Sequence, residues 1–379
     1  MKFSNLVLSL FCISVAISCS SDDPQPSEKE IEQDTVENPE PEENPEPEEE
    51  ALYFPPTDSD IWEETTFEEQ NWDESQVQPM ITFLDEKGTD AFIILKNGKI
   101  IAEWYFGGFT IDSKHTWNSA GKTLTSMMVG IAQEEGFLNL NDPTTDYLGE
   151  GWTSMPLEQE QQITIWNQLT MTSGLDYTDD IFCYDPECLD YLNDAGAFWY
   201  YHNAPYTLLD QVLSSATEMD FKDYFKTKIG DLIGMSGQWV KVGYNNLFFS
   251  NARSMARYGL LALNEGTWEN TPIISDKDYF FDMTNTSQEL NPSYGYLWWL
   301  NGKESVRMPR SEVSYPTPLM ENAPADLIAG LGANDQKLYV VPSQKLVIVR
   351  LGDDASESNL GPSSFDEQLW EKINALMGN

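Results

Sequence analysis

Histidine is nearly absent from this 379-residue chain: only His115 and His202 occur. A serine nucleophile here would therefore have little access to the usual imidazole base. Basic residues are also scarce, with 21 Lys+Arg against 63 Asp+Glu and a formal net charge of −42. That balance excludes a nucleic-acid-binding role, which needs basic patches to neutralise phosphate. There are four cysteines. Two of them, Cys183 and Cys188, lie in "CYDPEC" with no second Cys or His pair nearby, so a metal site has too few ligands. In an exported protein, two close cysteines around an Asp-Pro turn predict a local disulfide instead. Beyond the N-terminus no segment is long and apolar enough to cross a membrane. What the chain does have is an ordinary hydrophobic fraction, 40%, in a length sufficient for one large domain or two smaller ones.

The N-terminus, "MKFSNLVLSLFCISVAISCS", has Lys2 as a short positive region and an apolar run from Leu6 to Ile17. The run is too short for a stable span and reads as the core of an export signal. Ala16-Ile17-Ser18-Cys19 resembles a bacterial lipoprotein signal, in which cleavage leaves a lipid-modified Cys19 first. An ordinary secretory signal with an incidental cysteine is the alternative. Residues 20–50 are rich in Pro and Glu and almost free of large apolar groups. They cannot bury enough surface to offset ordering entropy, which predicts an extended acidic tether. The expected organisation is a signal over 1–19, a tether over 20–50 and a folded domain over 51–379. The expected location is the bacterial outer membrane, facing the periplasm or the cell surface, with the lipid anchor as the membrane partner.

The domain opens with a helix-like stretch, "DESQVQPMITFLDEKG". Two apolar runs follow around Asn97-Gly98, a strong hairpin signal. A second strand pair surrounds Pro342-Ser343, and "SFDEQLWEKINALMG" closes the chain as an amphipathic helix. Between about Ser119 and Met283 the periodicity is mostly helical. The pattern predicts an α+β fold: an antiparallel sheet built from both termini, flanked by helices, with an inserted helical region.

In "WNSAGKTLTSMMVGIAQEEG", Ser119 stands three residues before Lys122 at the start of an amphipathic helix. That spacing puts the two side chains on one side of the first turn, with the positive helix end aimed at the serine. Desolvation and a neighbouring positive field would keep the lysine neutral, so that it could take the hydroxyl proton. Alone, the tetrapeptide favours the plainer reading, an N-cap serine followed by a solvated lysine.

Further segments change the balance. "SAGKTLTSMMVGIAQEEGFLNLNDPTTDYL", "LTMTSGLDY", "YHNAPYTLLDQVLSSAT", "NPSYGYLWWLN" and "GLGANDQKLYVVPSQKLVIV" together resemble the serine β-lactamase-like hydrolases. That group includes class C β-lactamases, D-alanyl-D-alanine peptidases, esterases and 6-aminohexanoate-dimer hydrolases. The resemblance runs from about residue 75 to the C-terminus and implies a β-lactamase/penicillin-binding-protein transpeptidase-like fold. It makes Ser119 the nucleophile and Lys122 its proton partner. Among three Y-x-N triplets, at Tyr191, Tyr201 and Tyr244, the middle one precedes a Pro and an amphipathic run, as the family pattern requires. Tyr201 is then the general base and acid, its ionisation eased by the lysine, and Asn203 holds Lys122 or the substrate amide. The third family motif is reduced to Gly330-Leu331-Gly332-Ala333, without a cation. Gly330 and Gly332 would let a substrate backbone approach, and the N–H groups of Ser119 and Ala333 would form the oxyanion hole. Neither histidine is expected to act. Asp176 reads as a turn residue, and Trp298 and Trp299 as sheet core and cleft wall.

The resulting expectation is a serine hydrolase that cleaves small ester or amide substrates through an acyl-enzyme, with no metal or organic cofactor implied. A β-lactamase or D-alanyl-D-alanine carboxypeptidase is the alternative within the enzyme class. A non-catalytic sensor is the alternative outside it. With no cation in the third motif, short esters are expected to outpace β-lactams unless Arg253 or Arg307 reaches the cleft.

Overall fold

The computed structural model describes residues 51–358 and 360–378. The expectations for Cys19, the export signal and the tether lie outside the described residues. A six-stranded antiparallel sheet forms the centre. Its order is Lys99–Tyr105, Thr89–Lys96, Leu346–Gly352, Gln336–Val341, Ile328–Gly332 and Trp299–Leu300. Both chain ends of the domain thus contribute neighbouring strands, as the two hairpin signals imply. The first hairpin turns through Asn97 and Gly98, both with left-handed φ of 52° and 83°, the conformation that favours Asn-Gly in tight hairpins.

Strand alternation assigns the two faces. Leu338 and Val347 lie against Gly259 of the Ala252–Leu263 helix. Lys337 and Tyr339 point the other way, to the Ser364–Met377 helix, where Tyr339 meets Trp370 at 5.6 Å between ring centres. The Val77–Glu86 helix joins that second layer, with Phe83 stacked on Phe365 at 5.8 Å. The core is continuous across the sheet and includes Phe92, Ile94, Val347, Val349, Leu260 and Trp370, each essentially buried.

The middle of the chain is not purely helical. His115–Thr116, Asn245–Ser250 and Gly237–Val242 form a separate three-stranded sheet. Its hairpin, "GQWVKVGYNNLFFS", alternates apolar and polar residues on either side of a Gly243 turn at positive φ (59°). That alternation marks a half-buried strand. Trp239 and Phe248 close one side of it against Phe225 and Trp117. The Trp117 contact places this sheet directly under the turn that carries Ser119.

Candidate active site

Ser119 sits in a 3-10 turn, Asn118–Gly121, which runs straight into the Lys122–Glu134 helix. The turn is fixed from both ends. Trp117 donates from its indole to Ser250 at 2.7 Å, and its backbone N–H donates to Phe248 at 2.8 Å. Asn118, in the left-handed region with φ 47°, donates from its side chain to the Ala333 carbonyl at 2.8 Å. This bond ties the serine turn to the end of the Ile328–Gly332 strand.

Lys122 is buried, and its amine donates to Asn203 Oδ1 at 2.7 Å while standing 3.3 Å from Ser119 Oγ. Its nitrogen also lies 4.0 Å from the centre of the Tyr206 ring and 5.3 Å from that of Tyr201. Ring faces favour a cation, but no carboxylate accompanies them. Burial therefore dominates and holds the amine down at about 7. Desolvation alone accounts for this neutral tendency.

Tyr201 departs from expectation. Burial pushes its hydroxyl well above the ordinary phenol range, opposed only by a hydrogen bond with the Ser119 side chain. Lys122 stands 5.3 Å from the ring centre with no hydrogen bond to the phenol among the described residues, and an amine that itself loses its proton near 7 supplies little field to stabilise a phenolate above that pH. The ring is clamped by Trp299, stacked at 5.9 Å, and by the edge of Tyr294 at 6.2 Å. Trp298 is sheet core.

The third segment also differs in use. Neither Gly330 nor Gly332 lines the cleft around Ser119. A Cβ on Gly332 would stand 2.2 Å from the Trp117 carbonyl, and one on Gly330 would press on Thr123 and Ala120. These glycines let the strand approach the serine turn, not a substrate. Ala333 does line the cleft. Its turn, Ala333-Asn334-Asp335, connects Gly332 to Gln336 in direct register. Arg350 holds the turn by donating to the carbonyls of Asn334 and Asp335 at 3.2 and 3.0 Å. Lys337, next along, is buried between Asp335 and Asp366 at 3.0 and 2.7 Å, on the face away from Ser119. It is a structural ion cluster and does not replace the absent motif cation.

The cleft has two lobes that share Ser119, Asn203, Phe182 and Ala333. One, of about 140 Å³, is lined by the amides Asn118, Asn245 and Asn246 and by Lys122. The other, of about 200 Å³, is lined by Ile181, Tyr201, Pro309, Arg310, Leu360 and Pro362. A larger cavity of about 540 Å³ lies at the Trp299–Leu300 sheet edge and holds none of these residues. We place the candidate site in the smaller cleft, where a serine hydroxyl, an amine of depressed basicity and a phenol converge.

Sequence reasoning did not find Phe182, Asn245, Asn246 or Arg310. Asn245 and Asn246 belong to the rejected triplet at Tyr244. They reach the cleft because the hairpin tip is docked on the Cys183–Cys188 loop, where Tyr244 donates to Asp185 at 2.5 Å. Those two cysteines are bonded to each other, with Cα atoms 5.9 Å apart. The Tyr191 triplet is elsewhere, its hydroxyl on Asp194 at 2.8 Å. Of the cations expected to compete for the cleft, Arg253 is paired with Glu103 at 2.7 Å and Arg307 lies over Phe198 at 4.8 Å. His202 is buried and pushed down to about 4 by desolvation, while His115 faces Asp90 at 3.7 Å. Asp176 caps a turn by accepting from the Thr178 N–H at 2.8 Å.

The family model described as Beta-lactamase matches residues 82–359. The chain belongs to the β-lactamase family. This hydrolase is 24% identical over 313 residues to the 6-aminohexanoate-dimer hydrolase of Paenarthrobacter ureafaciens, covering 71% of this chain and 73% of that one. A Bacillus anthracis structure assigned as a candidate 6-aminohexanoate-dimer hydrolase aligns with TM-score 0.63 at 20% identity, over 83% of this chain and 86% of that one. A candidate β-lactamase from Bacteroides dorei DSM 17855 aligns with TM-score 0.63 at 15% identity, over 81% and 100%. The sheet and flanking helices are those of the β-lactamase and penicillin-binding-protein architecture, and the family is one of serine hydrolases.

Proposed function

We propose that Ser119 attacks the carbonyl of a small ester or amide and forms an acyl-enzyme. Neutral Lys122 accepts the hydroxyl proton, and Asn203 holds the amine in line. The developing oxyanion is met by the backbone N–H groups of Ser119 and Ala333. Tyr201, kept protonated by burial, passes a proton to the departing alcohol or amine. Water then enters on the same groups, releases the acid and restores the serine. The observation that carries this reading is the buried amine of Lys122, held at about 7 and placed 3.3 Å from Ser119 Oγ. With no cation on Gly330-Leu331-Gly332, a carboxylate set beside the scissile amide, as in β-lactams, lacks its usual partner. Short esters and small amides are the favoured substrates.

We propose further that the chain is exported and held at the outer membrane through lipid on Cys19, with residues 20–50 as the tether. The sequence from Lys2 to Cys19 supports this.

Incubation with a fluorophosphonate followed by intact-mass measurement tests the nucleophile. One adduct on the wild type and none on Ser119→Ala is the expected result. Equal labelling of the two proteins would contradict it.

A further inference from the structure

Asn246 forms the wall between two spaces. On one side is the amide-lined lobe with Ser119 and Lys122. On the other is a separate cavity of about 270 Å³, where Asp210, Asp220, Phe221 and Lys241 gather. The mechanism above uses nothing in that second cavity.

Asp210 stands in the first turn of the helix Leu209–Thr217, and Asn246 in the strand Asn245–Ser250. Asn246 Nδ2 donates to Asp210 Oδ2 at 3.4 Å. The other oxygen of each side chain, Asp210 Oδ1 and Asn246 Oδ1, is buried and has no hydrogen-bond partner among the described residues. Two bare acceptors at one contact are costly, since each forfeits the bonds it made to water. Exchanging the nitrogen and oxygen of the amide does not repair this, because it turns the oxygen onto Asp210 Oδ2. No cation repairs it either. Lys241 carries its amine over the Tyr184 ring, 5.0 Å from the ring centre, and neither it nor Lys222 forms an ion pair with Asp210 among the described residues.

A single proton is sufficient. A protonated carboxyl has one O–H to give. Placed on Asp210 Oδ1 and turned to Asn246 Oδ1, it gives both bare oxygens a partner, while the Asn246 N–H keeps its bond to Oδ2. Burial pushes the Asp210 carboxyl up to about 6, against Lys241, the Gln211 N–H and the Asn246 N–H, which favour the anion; Asp220 adds to the push. The O–H bond to Asn246 is open only to the neutral acid and shifts the balance further toward it.

We infer that Asp210 holds a proton, shares it with Asn246 in a two-bond acid–amide pair, and so positions Asn246 in the wall of the acyl lobe. The lobe assignment rests on the reading proposed above. Tyr201 lines the apolar lobe and not the amide-lined one, so a leaving group protonated by Tyr201 takes the former and the acyl group the latter. Asp210 lines neither lobe and acts only through Asn246. Ionised, it would set a carboxylate oxygen against the amide oxygen, drive the side chain off and loosen the hold on the acyl group.

Two measurements at pH 6.5 test the pair. The first is the carbonyl absorption of an un-ionised carboxylic acid, read as the infrared difference between wild type and Asp210→Asn. An ordinary aspartate is ionised at that pH, so the expected result is an acid band in wild type that the variant lacks. Absence of the band would overturn the inference. The second is hydrolysis of p-nitrophenyl butyrate. An amide can make the same two bonds, so Asp210→Asn should keep KM within about twofold of wild type. Asp210→Ala should raise KM about threefold to tenfold and leave kcat within about twofold, since no proton carrier is touched. Asn246→Ala should raise KM by a similar factor, and adding Asp210→Ala to it should change nothing further. A KM unchanged in Asp210→Ala, raised as much in Asp210→Asn, or rising again in the double variant would also overturn the inference. The infrared band does not depend on turnover. A wild type that neither hydrolyses the ester nor takes a fluorophosphonate would therefore count against Ser119, while the band still decides the pair.

Discussion

Lys122 and Asn203 are 81 positions apart in sequence, yet the lysine amine donates to the asparagine carbonyl at 2.7 Å inside the protein. The contact joins the helix that follows Ser119 to the segment that carries Tyr201. It also leaves a titratable amine buried with two neutral acceptors, Asn203 and Ser119, and two aromatic faces around it. Two outcomes follow from that placement.

Lys122 should cost stability. Its amine is held at about 7 in the folded protein against an ordinary 10.5. Between those values the unfolded chain binds a proton that the native state lacks, so stability rises with pH across that window and the full penalty applies below it. The penalty is on the order of 5 kcal/mol before the lost Asn203 bond is counted against it. Lys122→Met should therefore lose about 100-fold or more in rate yet be more stable than wild type at pH 6, by about 1–3 kcal/mol. The gap should narrow as pH approaches 10. Urea unfolding at the two pH values reads it, and a variant less stable than wild type at pH 6 would argue that the ammonium is well solvated.

The rate should follow the same group. For an uncharged ester, kcat/KM should rise with pH around a midpoint near 7 as Lys122 loses its proton. Tyr201→Phe should lower the plateau about 100-fold or more without moving that midpoint, because the phenol stays protonated throughout. A midpoint that moves in Tyr201→Phe would reassign the titration to the tyrosine.

Much of this was legible before any coordinates. The strand pairs around Asn97-Gly98 and Pro342-Ser343, the closing helix and the serine-lysine spacing are all local patterns, set by turn chemistry and periodicity. The lobes of the cleft were not legible, because they depend on contacts distant in sequence. Arg310 belongs to a turn with no periodic signal, and Asn246 lies on a hairpin that docks through Tyr244 onto Asp185. The direction of the Tyr201 shift was misjudged for a related reason. Sequence places a lysine near the phenol, but only packing reveals that the amine meets the ring face and that burial governs both groups. The sequence marks Gly330 and Gly332 as places of close approach, but glycine alone does not reveal that the neighbour is the serine turn and not a substrate.

The Cys183–Cys188 bond should matter more for substrate binding than for folding. The loop it closes is short, so its loss should cost about 2 kcal/mol. Phe182 precedes it and lines both lobes. Replacing both cysteines with serine should raise KM severalfold and leave kcat within about twofold, since the proton carriers are untouched. A fall in kcat with unchanged KM would contradict the assignment of this loop as cleft wall.

Anchoring is tested separately. Cys19→Ser should yield protein that no longer partitions with the membrane fraction, and labelling with a fatty-acid analogue should disappear with it. A variant that stays membrane-bound would place the anchor elsewhere.

An acyl-enzyme at Ser119 underlies every proposed step. Rapid acid quench during turnover of p-nitrophenyl butyrate, followed by intact-mass and peptide analysis, reads it directly. The predicted result is a transient gain of one butyryl group on the peptide that contains Ser119. It should be lost in Ser119→Ala and should accumulate more slowly in Lys122→Met. Turnover with no acylated protein at any quench time, or a butyryl group on another residue, would contradict it.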